Sequence, residues 1–193
     1  MTNNDILRRI RYILDYNDHQ MLAITRKAAP DTSLKQINSW LKKEDDKGYQ
    51  ACQDSHLAAF LNGLIIEQRG PRGEDLPSNE QSLNNNLILR KLKIAFHLQS
   101  DEILDILELA ELSISAHELS ALFRRPDHKH YRQCKDQILR NFLMGLQLQR
   151  RGDLKPSNVK PANKKSANKK TGNKQSDKKP PQSFQWNWKP DAK

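Results

Sequence analysis

The densest set of side chains able to do chemistry is Asp45, Lys47, Tyr49, Cys52 and Asp54, which recurs 82 residues later as Asp127, Lys129, Tyr131, Cys134 and Asp136. A carboxylate, an ammonium, a phenol and a thiol in one short stretch could hold a polar ligand, and the repetition would make two equivalent half-sites. The same residue types also have ordinary structural uses. Aspartate caps helices and closes turns, and a lone cysteine usually packs as a small hydrophobe. The first expectation is therefore that Asp54 and Asp136 cap a helix and that the tyrosines and cysteines pack beneath a loop. Asp45, Lys47, Tyr49, Asp127, Lys129 and Tyr131 are kept as candidate loop contacts.

Other chemistries find less in the chain. A zinc site needs about four Cys or His ligands at suitable spacing, and Asp127-His128-Lys129-His130 has only Asp45-Asp46-Lys47-Gly48 as its counterpart. No metal and no cofactor is expected. Glycine-rich phosphate loops and nucleophile elbows are absent. The acidic run Asp101, Asp105, Glu108 faces His19, Ala23 and Arg26 in the other copy, which fits a solvated helix face. No nucleophile, acid or base is named, so a binding module is expected rather than an enzyme; an enzyme using the loop is the least favoured reading.

These residues sit within a gapless duplication. Residues 3–70 align with 85–152, with 21 identities among 68 paired positions, so a residue kept in both copies needs one explanation that fits both. Each copy is expected to form four helices. The first carries Ile6, Leu7, Ile10, Ile13 and Leu14, or Ile88, Leu89, Leu92, Ala95 and Phe96, at amphipathic spacing, with an Asn of Asn3-Asn4 as its cap. A short second helix follows Asp18 or Ser100. Ser33-x-x-Gln36 and Ser115-x-x-Glu118 are capping boxes that start the third. The fourth holds Phe60-Leu61-x-Gly63-Leu64 or Phe142-Leu143-x-Gly145-Leu146 and ends at Gly70 or Gly152. A glycine inside a helix costs about 1 kcal/mol relative to alanine, so Gly63 and Gly145 are expected to admit a close-packed neighbour. No stretch alternates as a strand does, and the fold class is all-α: two tandem, pseudo-symmetric four-helix units packed together. The expected organisation is copy one at 1–70, a polar linker at 71–84, copy two at 85–152 and a tail at 153–193.

Charge separates the tail from the rest. Of the net +10, residues 153–193 contribute +8, with 11 lysines against 3 aspartates. A five-residue period repeats Ala-Asn-Lys-Lys, placing Lys164, Lys165, Lys169, Lys170 and Lys174, followed by Lys178 and Lys179. Such a segment cannot bury enough surface to offset its ordering entropy and is expected to be disordered. Spaced lysines neutralise phosphates without reading bases. Phe184, Trp186 and Trp188 near the end could stack on unpaired bases. The blander reading is a solubilising tail. Helix 1 carries Arg8, Arg9 and Arg11, matched by Arg90, Lys91 and Lys93, expected to be a solvated face. Helices 2 and 3 can also be read as helix-turn-helix, with Lys35, Asn38, Lys42 and Lys43 exposed.

The first helical stretch is interrupted by Asp5, Arg8, Arg9 and Arg11 and does not read as a signal peptide, and no window is apolar enough to span a bilayer. A cytoplasmic protein without integral membrane association is expected, with Cys52 and Cys134 as thiols.

Asn3-Asn4-Asp5-Ile6-Leu7-Arg8, Trp40-Leu41-x-Lys43-Glu44-Asp45 and Phe60-Leu61-Asn62-Gly63-Leu64, with Asn84-Asn85-Asn86, Arg125-Pro126-Asp127-His128-Lys129 and Phe142-Leu143-x-Gly145-Leu146 in copy two, resemble the bacterial YehS-like family. That family is a tandem domain of unknown function. The resemblance covers about residues 3–152 and implies a helical, cytoplasmic bacterial protein; it carries over no functional residues and does not extend to the tail. The expectation drawn from all these features is an uncharacterised binding module that associates with RNA or a ribonucleoprotein through residues 155–189. The alternative is a protein-interaction adaptor built on the paired repeats.

Overall fold

The structure is a computed structural model that describes residues 1–71 and 79–152. Every site residue assigned to the tail lies outside the described residues. Among those described there are eight helices and no strand: α1 (Asn3–Leu14), α2 (Asp18–Arg26), α3 (Leu34–Leu41), α4 (Asp54–Arg69), α5 (Asn85–Ala95), α6 (Ser100–Leu109), α7 (Ala116–Leu122) and α8 (Asp136–Arg151). The protein is all-α, with the duplicated units α1–α4 and α5–α8 sharing one continuous core.

Local sequence explains where the helices start. Ser33 and Ser115 each accept from the amide three residues on, while Gln36 and Glu118 reach back to the cap amide. This reciprocal pairing satisfies amides that a helix end leaves without partners. For α1 the cap is Thr2, boxed with Asp5, and not Asn3 or Asn4. That correction frees both asparagines for long-range work.

The packing inside each unit turns on its helix-4 glycine. A Cβ on Gly63 would lie 1.9 Å from the Ile24 carbonyl oxygen, and one on Gly145 would lie 1.7 Å from that of Ile106. Any side chain there would separate α4 from α2, or α8 from α6. The expected close approach is observed in both copies.

Between units the packing is reciprocal. Helix α4 of the first unit packs on α5 of the second, and α8 of the second packs on α1 of the first. Phe60 and Phe142, both fully buried, lie at matched positions in the shared core. Two carboxylates repeat the reciprocity in polar form. Asp54 Oδ2 accepts the Leu83 amide at 2.8 Å, and Asp136 Oδ2 accepts the Met1 ammonium at 2.5 Å. Leu83 is 82 residues beyond Met1, so each unit ties down the chain entering the other.

This geometry revises the capping role expected of Asp54 and Asp136. The N-caps of α4 and α8 are Gln53 and Lys135, neither with a side-chain cap bond. The aspartates are the first helical residues, where a carboxylate suits the positive end of the helix dipole. Asn3 Nδ2 donates to Asp54 Oδ1 and Asn85 Nδ2 to Asp136 Oδ1, each at 2.7 Å.

One network breaks the symmetry. Lys91 is buried, with its ammonium 2.7 Å from Glu80 and donating to Asn62 Oδ1 at 2.5 Å; Asn62 in turn donates to Asn79, and Asn79 to the Ala28 carbonyl. Burying a lysine is tolerable only with such partners. In copy two, Asn141 of α8 donates to the Ala110 carbonyl, the counterpart of Ala28.

Candidate functional site

The loop after helix 3 is anchored from below by one buried asparagine per copy. Asn4 Nδ2 donates to the carbonyls of Trp40 and Gln50, both at 2.8 Å, while Asn4 Oδ1 accepts the Cys52 amide at 2.9 Å and the Tyr49 hydroxyl at 3.3 Å. Asn86 repeats all four bonds: to Leu122 and Arg132 carbonyls at 2.8 Å, from the Cys134 amide at 2.9 Å and from the Tyr131 hydroxyl at 3.1 Å. Each asparagine has its two donor protons and its carbonyl oxygen fully used. The sequence signal was present, since Asn4 and Asn86 are matched, but reading them as local caps concealed their role.

The six loop candidates therefore divide. Tyr49 and Tyr131 are half-buried, their hydroxyls turned inward to the asparagines. Asp45, Lys47, Asp127 and Lys129 are exposed, and among the described residues no ion pair joins them to each other. Lys47 contributes through its backbone, whose carbonyl accepts Lys42 Nζ at 2.6 Å.

Cys52 and Cys134 are buried thiols. Burial, with a neighbouring aspartate, pushes the Cys52 thiol up to about 12 and the Cys134 thiol up to about 11. The thiolate is the reactive form, so both thiols are expected to resist iodoacetamide at about pH 8 in the native protein and to react once unfolded in urea. Rapid native labelling would contradict their placement. The linkage also has a sign. An unfolded cysteine ionises near 8.5, whereas the folded ones hold their protons up to about 11 and 12. Their contribution to stability is full below about pH 8.5 and is lost as pH rises above it.

His56 was not anticipated. It lies against Trp40, with ring centroids 4.5 Å apart, and burial lowers its pKa. The counterparts in copy two are Leu122 and Ile138, so the pair is a packing variant of an apolar contact. Among the described residues no group of three or more His, Cys, Asp or Glu could hold a metal ion.

The basic residues of the first helices are not a solvated strip. Arg8 donates to the Lys42 carbonyl just past α3 and pairs with Asp5; Arg90 donates to the Phe123 carbonyl just past α7, with Leu87 where Asp5 stands; Arg11 pairs with Asp18 at 2.7 Å and donates to the Tyr16 carbonyl. Cations that satisfy a helix's last carbonyls are structural. The helix-turn-helix comparison meets a connection at 27–33 between α2 and α3, longer than the three or four residues of that motif.

Two concavities lie on the outer side of the anchored loop, one per copy and at equivalent positions. In copy one, Lys35, Gln36, Asn38 and Ser39 of α3 with Lys42, Gly48 and Gln50 line an open concavity of about 740 Å³. In copy two the lining is His117, Glu118, Ala121, His130 and Arg132, and the volume falls to about 190 Å³. The offset of 82 relates Lys35 to His117, Gln36 to Glu118, Gly48 to His130 and Gln50 to Arg132. One framework thus carries two different surfaces.

A family model described as protein of unknown function (DUF1456) matches residues 3–70 and, a second time, residues 85–152. The chain belongs to this family. Within it, the chain is 47% identical over 148 residues to "Uncharacterized protein YehS" of Escherichia coli (strain K12), an alignment that covers 76% of this chain and 94% of that relative. No solved structure matches. Among the described residues no helix is long and apolar enough to cross a membrane.

Proposed function

We propose that the chain is a cytoplasmic, non-catalytic binding module that associates with RNA or a ribonucleoprotein, mainly through residues 155–189. The observation that carries this reading is charge: residues 153–193 hold 11 lysines against 3 aspartates, next to Phe184, Trp186 and Trp188. Lysines spaced along a chain suit phosphates, and adjacent aromatics suit unpaired bases. The folded region supports the reading indirectly. Residues 1–152 carry 22 basic against 20 acidic side chains, and Arg8, Arg11, Arg90 and Lys91 are held in internal bonds, so most of the net positive charge lies in the tail.

A protein-interaction adaptor is the second reading, and one observation favours it. The alignment with the relative covers 94% of that protein but 76% of this chain, so a role common to both would belong to the duplicated region. Binding of the full chain and of residues 1–152 to RNA and DNA across a salt series separates the two. Each phosphate contact on a single strand contributes about 0.7 to the logarithmic salt slope. Loss of affinity and a shallower slope on removing the tail is the expected result. If both stay unchanged, the tail reading is lost, and a pull-down with residues 1–152 tests the adaptor.

A further inference from the structure

The copy-one groove differs from its counterpart in the chemistry it offers. Its lining includes two lysines, Lys35 and Lys42, and no carboxylate, and Leu34 is its one apolar residue. Gln36 Oε1 is committed inward, accepting the Ser33 amide at 2.9 Å, so this side chain has only its N–H donors left for a ligand. Lys42 Nζ is bonded to the Lys47 carbonyl at 2.6 Å, which fixes its position and leaves further ammonium protons unused. The floor is set by the Asn4 anchor and by the Gln50 amide donating to the Ser39 carbonyl at 3.2 Å. Ammonium and amide donors on a pre-set framework are the chemistry of oxyanion recognition. Glu44 and Asp45 belong to the same loop but do not line the groove, and Asp46 accepts the Lys43 amide.

Copy two offers a different set, with a carboxylate, Glu118, beside Arg132, His117 and His130. Glu118 stands where Gln36 does and takes up the same capping position, but as a carboxylate. His130 stands where Gly48 does and narrows the concavity. Peptide anchors want apolar pockets, and copy one supplies almost no apolar lining. A phosphodiester chain needs none.

We propose that the copy-one groove between α3 and the following loop binds the phosphate backbone of single-stranded RNA, with Lys35 and Lys42 as the phosphate contacts. The proposal rests on the RNA reading above and adds a contact on the folded region. In copy two Arg132 shares a smaller concavity with the Glu118 carboxylate, and no equivalent contact is assigned there.

The test is fluorescence anisotropy of a short labelled oligouridylate with the full chain, between about 50 and 200 mM salt. Lys35→Gln is expected to make the salt slope shallower by about 0.7, and Lys35→Gln with Lys42→Gln by about 1.4. Lys35→Arg with Lys42→Arg should retain binding. His117→Gln with His130→Gln should leave affinity unchanged. A parallel variant changes Lys164, Lys165, Lys169, Lys170 and Lys174 to Gln. If that variant weakens binding while the Lys35→Gln chain matches the parent, the groove is overturned and the tail reading stands. If the groove variants weaken binding and the tail variant does not, the groove stands and the tail reading falls. Polyglutamate bound in place of oligouridylate would overturn the groove as a phosphate site and assign it to an acidic protein.

Discussion

Replacing Gly145 by alanine is expected to destabilise the protein by about 3 kcal/mol, and Gly63→Ala should act alike. Two effects oppose each other at these positions. Helix propensity favours alanine over glycine by about 1 kcal/mol. Against it, the added methyl would lie 1.7 Å from the Ile106 carbonyl oxygen in copy two, or 1.9 Å from that of Ile24 in copy one. The obstacle is helix backbone and not the end of a flexible side chain, so α6 and α8 would have to move apart through a core that is already filled. Steric displacement wins. Urea unfolding followed by circular dichroism reads the outcome as a lower midpoint; a midpoint equal to or above that of the parent would show that the helices are not in contact there. Since small domains are stable by about 5–15 kcal/mol, changing both glycines together is expected to abolish folding.

The second large effect is expected at the loop anchors. Asn86→Leu removes donors from the Leu122 and Arg132 carbonyls and the acceptor from the Cys134 amide and Tyr131 hydroxyl. Each buried polar group left without a partner costs about 1–3 kcal/mol, so a loss of about 3–5 kcal/mol is expected even after water reaches the looser loop. Asn86→Asp separates shape from chemistry. The carboxylate keeps the acceptor but sets negative charge against two carbonyl oxygens. Its folded pKa is raised, so the variant should be nearest to the parent below the unfolded value of about 3.9 and should lose stability as pH rises through the folded value. A variant whose deficit relative to the parent is the same at acid and neutral pH would contradict the bonding assigned to Asn86.

Much of the fold was legible because it depends on local rules. Ser33 with Gln36 and Ser115 with Glu118 mark helix starts within four residues of chain, and the helix-4 glycines announce a neighbour simply by being glycine. The roles of Asn4, Asn86, Asp54 and Asp136 were not legible for the opposite reason. Their partners lie 29 to 135 residues away, and a polar residue near a helix start looks like a cap until its partner is known.

Identity between the copies is one criterion for candidate residues, and it favours shared architecture. Identity between the copies selected Asp45, Lys47, Tyr49 and their mates, yet what both copies require in common is the anchored loop. Tyr49 and Tyr131 are matched because both bond to the asparagine beneath them. The groove lining differs at Lys35 and His117, Gln36 and Glu118, and Gly48 and His130, so a search for matched residues passes over it. Shared architecture keeps residues alike; separate surfaces let them diverge.

RNA is expected to meet both the lysine tail and the copy-one groove and to leave the copy-two groove unoccupied. Titration of the isotope-labelled full chain with short single-stranded RNA, followed by amide chemical shifts, tests it directly. Perturbations are expected at Lys35, Asn38 and Gly48 and in the tail, with Glu118, His130 and Arg132 unmoved. Shifts centred on the copy-two loop, or none in the folded region and tail at saturating RNA, would contradict it.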